Sequence, residues 1–177
     1  MITGVLSYIN AGDHFLMRRV HGWRAPRWIR LWMICATRGG DGWLWYLLGA
    51  ILLLVGGDHR FAAVGASTMA AAVGIGVFLS LKRLTGRKRP CAIEPHCWAT
   101  LLPPDRFSFP SGHTITAFAV IVPVSLYYPD LFWGLFFVAL SVAVSRVLLG
   151  MHFLSDVLAG AVLGAGLGYA AYRLVVG

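Results

Sequence analysis

Three short blocks of polar residues hold side chains that could carry out chemistry on an anionic group. The blocks are Lys82-x6-Arg89-Pro90, Pro110-Ser111-Gly112-His113 and Ser145-Arg146-x5-His152-x3-Asp156. Together they supply three fixed cations, two histidines and a carboxylate that can orient a histidine. Cations balance phosphate charge, one imidazole can attack phosphorus, and the other can protonate the leaving oxygen. This inventory suits a phosphoryl group better than any other substrate.

The rest of the chain has the composition of a membrane protein. Of its 177 residues, 58% are hydrophobic and 12% are charged, and the mean hydropathy is +0.73. A soluble domain of this length cannot bury so much apolar surface in one core. We therefore expect residues 1–177 to form one all-α, multi-pass membrane domain. The start of the chain does not resemble a cleavable signal peptide, because polar residues such as Asn10 and Asp13 replace a cleavage site.

Five stretches are apolar enough to be membrane helices. They are residues 41–57, 61–81, 111–128, 131–149 and 152–173. Each is close to the ~20 residues that cross the hydrocarbon core, although some are slightly short. Tight turns at 57–60 and 127–130 make neighbouring helices antiparallel. Residues 82–109 contain four prolines and predict a long polar loop on the active face.

The N-terminal 40 residues follow a different pattern. Arginines stand among tryptophan and leucine, at Arg18, Arg19, Arg24, Arg27, Arg30 and Arg38. This pattern predicts amphipathic helices along the membrane interface, which gives about five to six transmembrane helices in all. The net charge of +8 is best explained by anionic lipid headgroups. We expect no nucleic-acid partner, since no basic surface with interleaved aromatic residues is present.

The alternation of the spans places the three blocks on one face of the membrane. The span 61–81 ends at Lys82, and the span 111–128 begins at Ser111. The next span returns to the same face near Arg146, and the last begins at His152. Each block alone has an ordinary explanation, such as a basic juxtamembrane loop or a helix N-cap. Their convergence on one face favours an active site.

Roles for the two histidines follow from their positions. Asp156 lies one helical turn after His152 and can accept the Nδ1 proton, which leaves Nε2 free as a nucleophile. His113 lies in the first turn of its helix, where the dipole and the backbone N–H groups of Ser111 and Gly112 favour an anion. It is placed to protonate the leaving oxygen and then to activate water.

The remaining polar residues of the blocks are expected to bind the phosphate. Lys82, Arg89 and Arg146 would hold the equatorial oxygens as charge builds. The hydroxyl of Ser111 would add one more donor.

The three blocks resemble the signature of the type 2 phosphatidic acid phosphatase (PAP2) superfamily, and all of them match without a substitution between residues 82 and 156. The resemblance implies a membrane lipid phosphatase of the bacterial inner membrane, with a histidine nucleophile and a second histidine as acid and base. It implies no metal and no cofactor. Residues 1–40 depart from the membrane members, which usually show a recognisable first span.

Other functions fit these residues less well. Vanadate-dependent haloperoxidases and soluble acid phosphatases share the site, but both are soluble. A lipid-phosphate binding or transport protein without catalysis would not need intact His113, His152 and Asp156. A membrane metalloenzyme would need an HExxH motif or clustered carboxylates, which the sequence lacks.

The sequence leaves the substrate and the sidedness open. The headgroup is a phosphomonoester, as in phosphatidic acid or phosphatidylglycerol phosphate, or a diphosphate, as in a polyprenyl carrier or the 1-phosphate of lipid A. Residues 91–109 are where a headgroup or chain would be sorted, through Trp98, Leu101, Leu102 and Phe107. The basic residues on the active face favour the cytoplasm, whereas the family resemblance favours the periplasm, and we prefer the periplasm.

Two further patterns carry structural predictions. Gly160, Gly164 and Gly168 form a doubled GxxxG stripe that predicts close packing against another helix, of this chain or of a second copy. Cys91 and Cys97 lie in one loop and form a disulfide or stay as two thiols. The sequence does not predict an oligomeric state.

Overall fold

The computed structural model describes residues 2–93 and 105–177, and these two ranges are helical without a β-strand. The predicted all-α class is confirmed. The helices are α1 (Ile2–His21), α2 (Arg27–Gly39), α3 (Trp43–Val55), α4 (Arg60–Thr85), α5 (Pro90–Ile93), α6 (Gly112–Tyr127), α7 (Phe132–Leu148) and α8 (Leu154–Val176).

All five predicted membrane stretches form helices, but their lengths differ. Among the described residues, three helical segments are long and apolar enough to cross a membrane: Gly57–Thr85, Pro129–Leu148 and Leu154–Val176. The apolar helices α3 and α6 have 13 and 16 residues, short of the ~20 that a full crossing needs. The two predicted tight turns are present as 3-10 turns at Gly57–His59 and Pro129–Leu131. The chain is therefore a membrane protein.

Two predicted boundaries are wrong. The α4 helix continues past Lys82 to Thr85 and ends at Gly86, whose φ of 58° places it in the left-handed region that suits a helix C-cap. The predicted loop 82–109 accordingly starts later, and it contains the single turn α5. The α8 helix begins at Leu154, so His152 precedes it rather than lying within it.

The glycine stripe of α8 lies directly on α6, the central helix of the bundle. A Cβ added at Gly164 would lie 2.4 Å from the carbonyl oxygen of Ile115, and one at Gly168 would lie 3.0 Å from that of Ala119. Without side chains at these positions, the two backbones approach to contact distance. The predicted close packing is confirmed, and its partner is a helix of the same chain.

The two N-terminal helices pack beside the ends of α7 and α8. The α1 helix contacts both and buries Asp13 and Met17. The α2 helix packs on α7 and buries Met33 and Thr37. Their exposed arginines agree with the predicted amphipathic character. The sequence does not predict that each of these helices also contributes a polar side chain, Asp13 or Thr37, that contacts residues of the three sequence blocks.

Part of the predicted sorting loop falls outside the described residues. Cys97 is one of these positions, as are Trp98, Leu101 and Leu102. The pairing of Cys91 with Cys97 therefore stays a prediction.

Candidate active site

A cleft of about 290 Å³ collects residues from all three sequence blocks. Its lining includes Lys82, Arg89, Gly112, His113, Arg146 and His152. The ends of α4, α6 and α7 supply four of these, as the alternation of the spans predicts. The other two predicted residues, Ser111 and Asp156, are fully buried behind the wall of the cleft.

His152 presents its Nε2 to the cleft in an unprotonated form. This nitrogen lies 3.1 Å from a terminal nitrogen of the Arg89 guanidinium, and a guanidinium can only donate. The Nε2 atom is therefore the acceptor, and Nδ1 carries the proton. Burial, together with the charges of Arg146 and Arg89, holds the pKa of His152 well below its usual value, so the imidazole is neutral at pH 7.

Asp156 faces the Nδ1 side of His152, although the two are not hydrogen-bonded. Nδ1 lies 3.6 Å from Oδ2, which is longer than a hydrogen bond. The predicted helical-turn relation is also wrong, because His152 lies before α8. What places the carboxylate is the first turn of α8, where Oδ2 accepts the backbone N–H of Phe153 at 2.9 Å.

His113 lies in the first turn of α6, as the sequence predicts, and contacts a residue that the sequence blocks do not contain. Its Nε2 lies 2.7 Å from Oδ1 of Asp41. Because a carboxylate accepts, Nε2 carries a proton. Asp41 stands in the turn Gly39-Gly40-Asp41-Gly42, where a Cβ on Gly40 would lie 3.2 Å from the His113 ring. This glycine-rich turn between two helices was the one sequence signal for Asp41.

Ser111 is buried behind the cleft rather than lining it. Its backbone N–H donates to the carbonyl of Asp156 at 3.1 Å, and its hydroxyl accepts from Thr114 at 2.9 Å. The backbone N–H of Ser111 therefore joins α6 to α8, whereas the bond from Thr114 lies within the first turn of α6. Gly112 does line the cleft, under the ring of Phe78, which a Cβ would approach to 3.2 Å.

Two of the three predicted cations hold a carboxylate in this structure. Asp105 accepts from Lys82 Nζ at 2.6 Å through Oδ2 and from Arg89 at 2.8 Å through Oδ1. Burial alone would raise the pKa of Asp105, but the hydrogen bonds from these two cations hold it below its usual value. The Asp105 carboxylate bridges the two cations, in a position where they could equally donate to phosphate oxygens.

The third cation, Arg146, is only 3% exposed at the end of the apolar α7. One terminal nitrogen donates to the hydroxyl of Thr37 on α2. Its Nε is buried and has no hydrogen-bond partner among the described residues. A buried donor without a partner is costly, so a bound anion in the cleft would stabilise Arg146.

Comparisons with known proteins identify a matching family and several relatives. Residues 61–177 match the model of the PAP2 superfamily. The chain is 34% identical over 145 residues to decaprenylphosphoryl-5-phosphoribose phosphatase of Mycobacterium tuberculosis, a match of 72% of this chain and 68% of that protein. It is 34% identical over 89 residues to lipid A 1-phosphatase of Rhizobium johnstonii, 48% of this chain but only 36% of that relative's length. The crystal structure of Aquifex aeolicus LpxE superposes with a TM-score of 0.76 at 26% identity, covering 89% of this chain and 93% of that one.

Proposed function

Because the chain belongs to the PAP2 superfamily, we propose that it is a membrane lipid phosphatase that works through a phosphohistidine at His152. The observation that carries the proposal is the state of His152. Its imidazole is neutral, its Nε2 is unprotonated, and that nitrogen faces a cleft lined by Lys82, Arg89 and Arg146. A nucleophile among three cations suits attack on a phosphate.

In the first step the three cations bind the phosphate oxygens, and Asp105 gives up its place on Lys82 and Arg89. The Nε2 lone pair of His152 forms the bond to phosphorus while the bond to the lipid oxygen breaks. That oxygen takes a proton from His113, which the charge of the bound phosphate holds as the imidazolium and which becomes a neutral imidazole. The imidazole of His152 becomes positively charged, and Asp156 stabilises it through Nδ1.

In the second step water attacks the phosphorus of the phosphohistidine. The neutral imidazole of His113 accepts the proton of that water and becomes the imidazolium again. The bond between phosphorus and Nε2 breaks, its electron pair returns to His152, and inorganic phosphate leaves. Both histidines regain their starting states.

The shape of the protein next to the cleft supports a lipid as the substrate. An apolar groove of about 250 Å³ lies between α3, α4 and α6. It shares Gly42, Tyr46, Ile75 and Thr116 with the cationic cleft. A charged cleft that continues into an apolar groove fits an amphiphile with a phosphate head and a hydrocarbon chain. The relatives named above are phosphatases of lipid-linked phosphates by name, which points the same way.

Phosphate release from a panel of lipids in detergent tests this function. The panel contains phosphatidic acid, phosphatidylglycerol phosphate, a polyprenyl diphosphate and lipid A, each assayed with EDTA and with vanadate. We expect turnover of at least one lipid, unaffected by EDTA and inhibited by vanadate. Loss of activity in EDTA would favour a metalloenzyme.

The variants His152→Ala and His113→Ala test the two roles, and His59→Ala in the turn at the far end of α4 is the matched control. We expect each active-site variant to lose more than ~10³-fold in rate and the control to keep it. Asp156→Asn should lose less, because Asp156 orients rather than reacts. His152→Ala with activity within about tenfold of wild type would overturn the nucleophile assignment.

We further propose that the protein lies in the bacterial inner membrane with the cleft on the periplasmic side. The family resemblance supports this placement, and the apolar spans require a membrane. Labelling a cysteine introduced at the exposed Lys88 with a membrane-impermeant maleimide in intact spheroplasts tests it. Labelling only after lysis would place the cleft in the cytoplasm.

A further inference from the structure

Arg87 lies two residues before Arg89, yet its side chain turns away from the cleft and towards Asp156. One terminal nitrogen donates to Asp156 Oδ1 at 2.6 Å and to Ser155 Oγ at 2.7 Å. The other donates to Asp13 Oδ2 at 2.7 Å and to Asn10 Oδ1 at 3.1 Å. The guanidinium also lies 4.3 Å over the ring of Phe153. Contacts on both terminal nitrogens and on one face fix the plane of this group.

The charge on Asp156 requires such a partner. Its side chain is fully buried, and a buried carboxylate is costly unless a cation and hydrogen bonds compensate it. His152 does not supply the positive charge, because it is neutral in the resting protein. Arg87 supplies it at 2.6 Å, in an ion pair whose arginine is 21% exposed.

Asp13 on α1 holds the other end of the same network. Its Oδ2 accepts from Arg87 at 2.7 Å, and its Oδ1 accepts the backbone N–H of Ser155 at 3.1 Å. The hydroxyl of Ser155 also donates to Oδ2. Asp13 therefore caps the first turn of α8, the turn that carries Asp156. A side chain 142 residues away in sequence thus fixes where α8 begins.

We propose that Arg87, with Asp13 behind it, is a positioning residue that holds Asp156 charged and aimed at His152. The proposal rests on the proposed function. Arg87 occupies Oδ1, and the Phe153 N–H occupies Oδ2, so the carboxylate cannot rotate. Oδ2 is thereby kept 3.6 Å from Nδ1, close enough to form a hydrogen bond when the imidazole gains charge. The network acts on the step in which that charge appears and not on phosphate binding.

A double-mutant cycle between Arg87→Gln and Asp156→Asn tests this mechanism. In the wild-type background we expect Arg87→Gln to lower kcat by about 10–100-fold, the size seen when a partner of a functional side chain is removed. The KM and the vanadate affinity should stay within about threefold. In the Asp156→Asn background the same change should cost less than about threefold, since the group on which it acts is already altered.

Two further variants make the cycle specific. Arg83→Gln removes an exposed cation from the last turn of α4, four residues before Arg87, and should leave kcat within about twofold of wild type. Arg87→Lys keeps the charge without the fork and should restore part of the rate. If Arg87→Gln does not fold, Asp13→Asn, which leaves the Arg87 side chain intact, replaces it in the double-mutant cycle. Asp13→Asn should then lower kcat in the wild-type background and much less in the Asp156→Asn background.

The outcomes separate this inference from the proposed function. A wild-type protein without activity on any lipid of the panel would overturn the proposed function. If the wild type is active and the losses of kcat from Arg87→Gln and Asp156→Asn multiply in the double variant, the positioning role alone is overturned. The same holds if Arg87→Gln raises only KM. The lower kcat of Arg87→Gln in a protein of unchanged melting temperature, lost in the Asp156→Asn background, supports it.

Discussion

The contact of Gly164 with α6 makes a quantitative prediction for Gly164→Ala. An alanine Cβ at this position would lie 2.4 Å from the Ile115 carbonyl oxygen and 3.1 Å from the Ala119 nitrogen. Ordinary contact begins at 3.4 Å, so the first of these distances is about 1 Å too short. Both atoms belong to the backbone of α6 and cannot turn aside as a side chain would. The helices α6 and α8 must therefore separate.

The expected cost combines two opposing effects. Overpacking a close contact costs about 1–3 kcal/mol, and a clash with helical backbone lies at the upper end. Replacing glycine by alanine in a helix contributes about 1 kcal/mol of stabilisation. The net change is a loss of about 2 kcal/mol in the free energy of unfolding. By the scaling for domains of this size, this loss lowers the melting temperature by about 4–8 °C.

Gly166 offers a matched control on the same helix, because a Cβ there meets nothing within 4 Å. Gly166→Ala keeps the propensity gain without the clash, so its melting temperature should equal or exceed that of wild type. Thermal unfolding of both variants in one detergent, followed by the fluorescence of the native tryptophans, measures the difference. Equal melting temperatures for Gly164→Ala and Gly166→Ala would refute the reasoning. So would a Gly164→Ala protein more stable than wild type.

Two other perturbations test the electrostatics of the cleft. Asp105→Asn removes the charge that occupies Lys82 and Arg89, so vanadate should inhibit this variant about tenfold more tightly than wild type. Asp58→Asn at the far end of α4 is the control and should leave vanadate inhibition unchanged. Weaker inhibition of Asp105→Asn would show that Asp105 assists binding. The folded-state pKa of His152 lies below its unfolded value near 6.5, so its contribution to stability is complete above that pH and is lost as the pH falls below it. The melting temperature should therefore decrease from pH 6.5 to pH 5, and less steeply in His152→Gln; parallel curves for the two proteins would contradict this.

The parts of the fold and the site that the sequence predicts are those set by composition and by regular spacing. Long apolar runs predict helices, because a membrane leaves backbone groups no partner outside the helix. The alternation of those helices then brings Lys82, His113 and His152 to one cleft without any knowledge of side-chain contacts. Each of these steps depends only on the number of residues between polar blocks. The predicted face of the membrane therefore stays the same when a helix end is misplaced by a few residues.

The parts that the sequence does not predict depend on single long-range contacts. Asp41 bonds a histidine 72 residues later, and Asp13 bonds the start of a helix 142 residues later. Neither aspartate lies in a periodic pattern or beside a block, and only the glycine-rich turn around Asp41 distinguishes either of them from a solvated carboxylate. Asp105 is not predicted for a different reason. Cations expected to bind phosphate are expected to lack a carboxylate partner, yet Lys82 and Arg89 both donate to Asp105.

The backbone N–H of Ser111 shows how helix packing and the site depend on each other. A first-turn N–H was expected to be free for an anion, but the Asp156 carbonyl takes it at 3.1 Å. This bond requires α8 to approach α6 closely, and Gly160 permits the approach, since a Cβ there would lie 2.9 Å from the Ser111 oxygen. The same contact that packs two membrane helices thus ties the helix of His113 to that of Asp156. The relative placement of His113 and Asp156 therefore depends on the glycines of α8 that pack on α6.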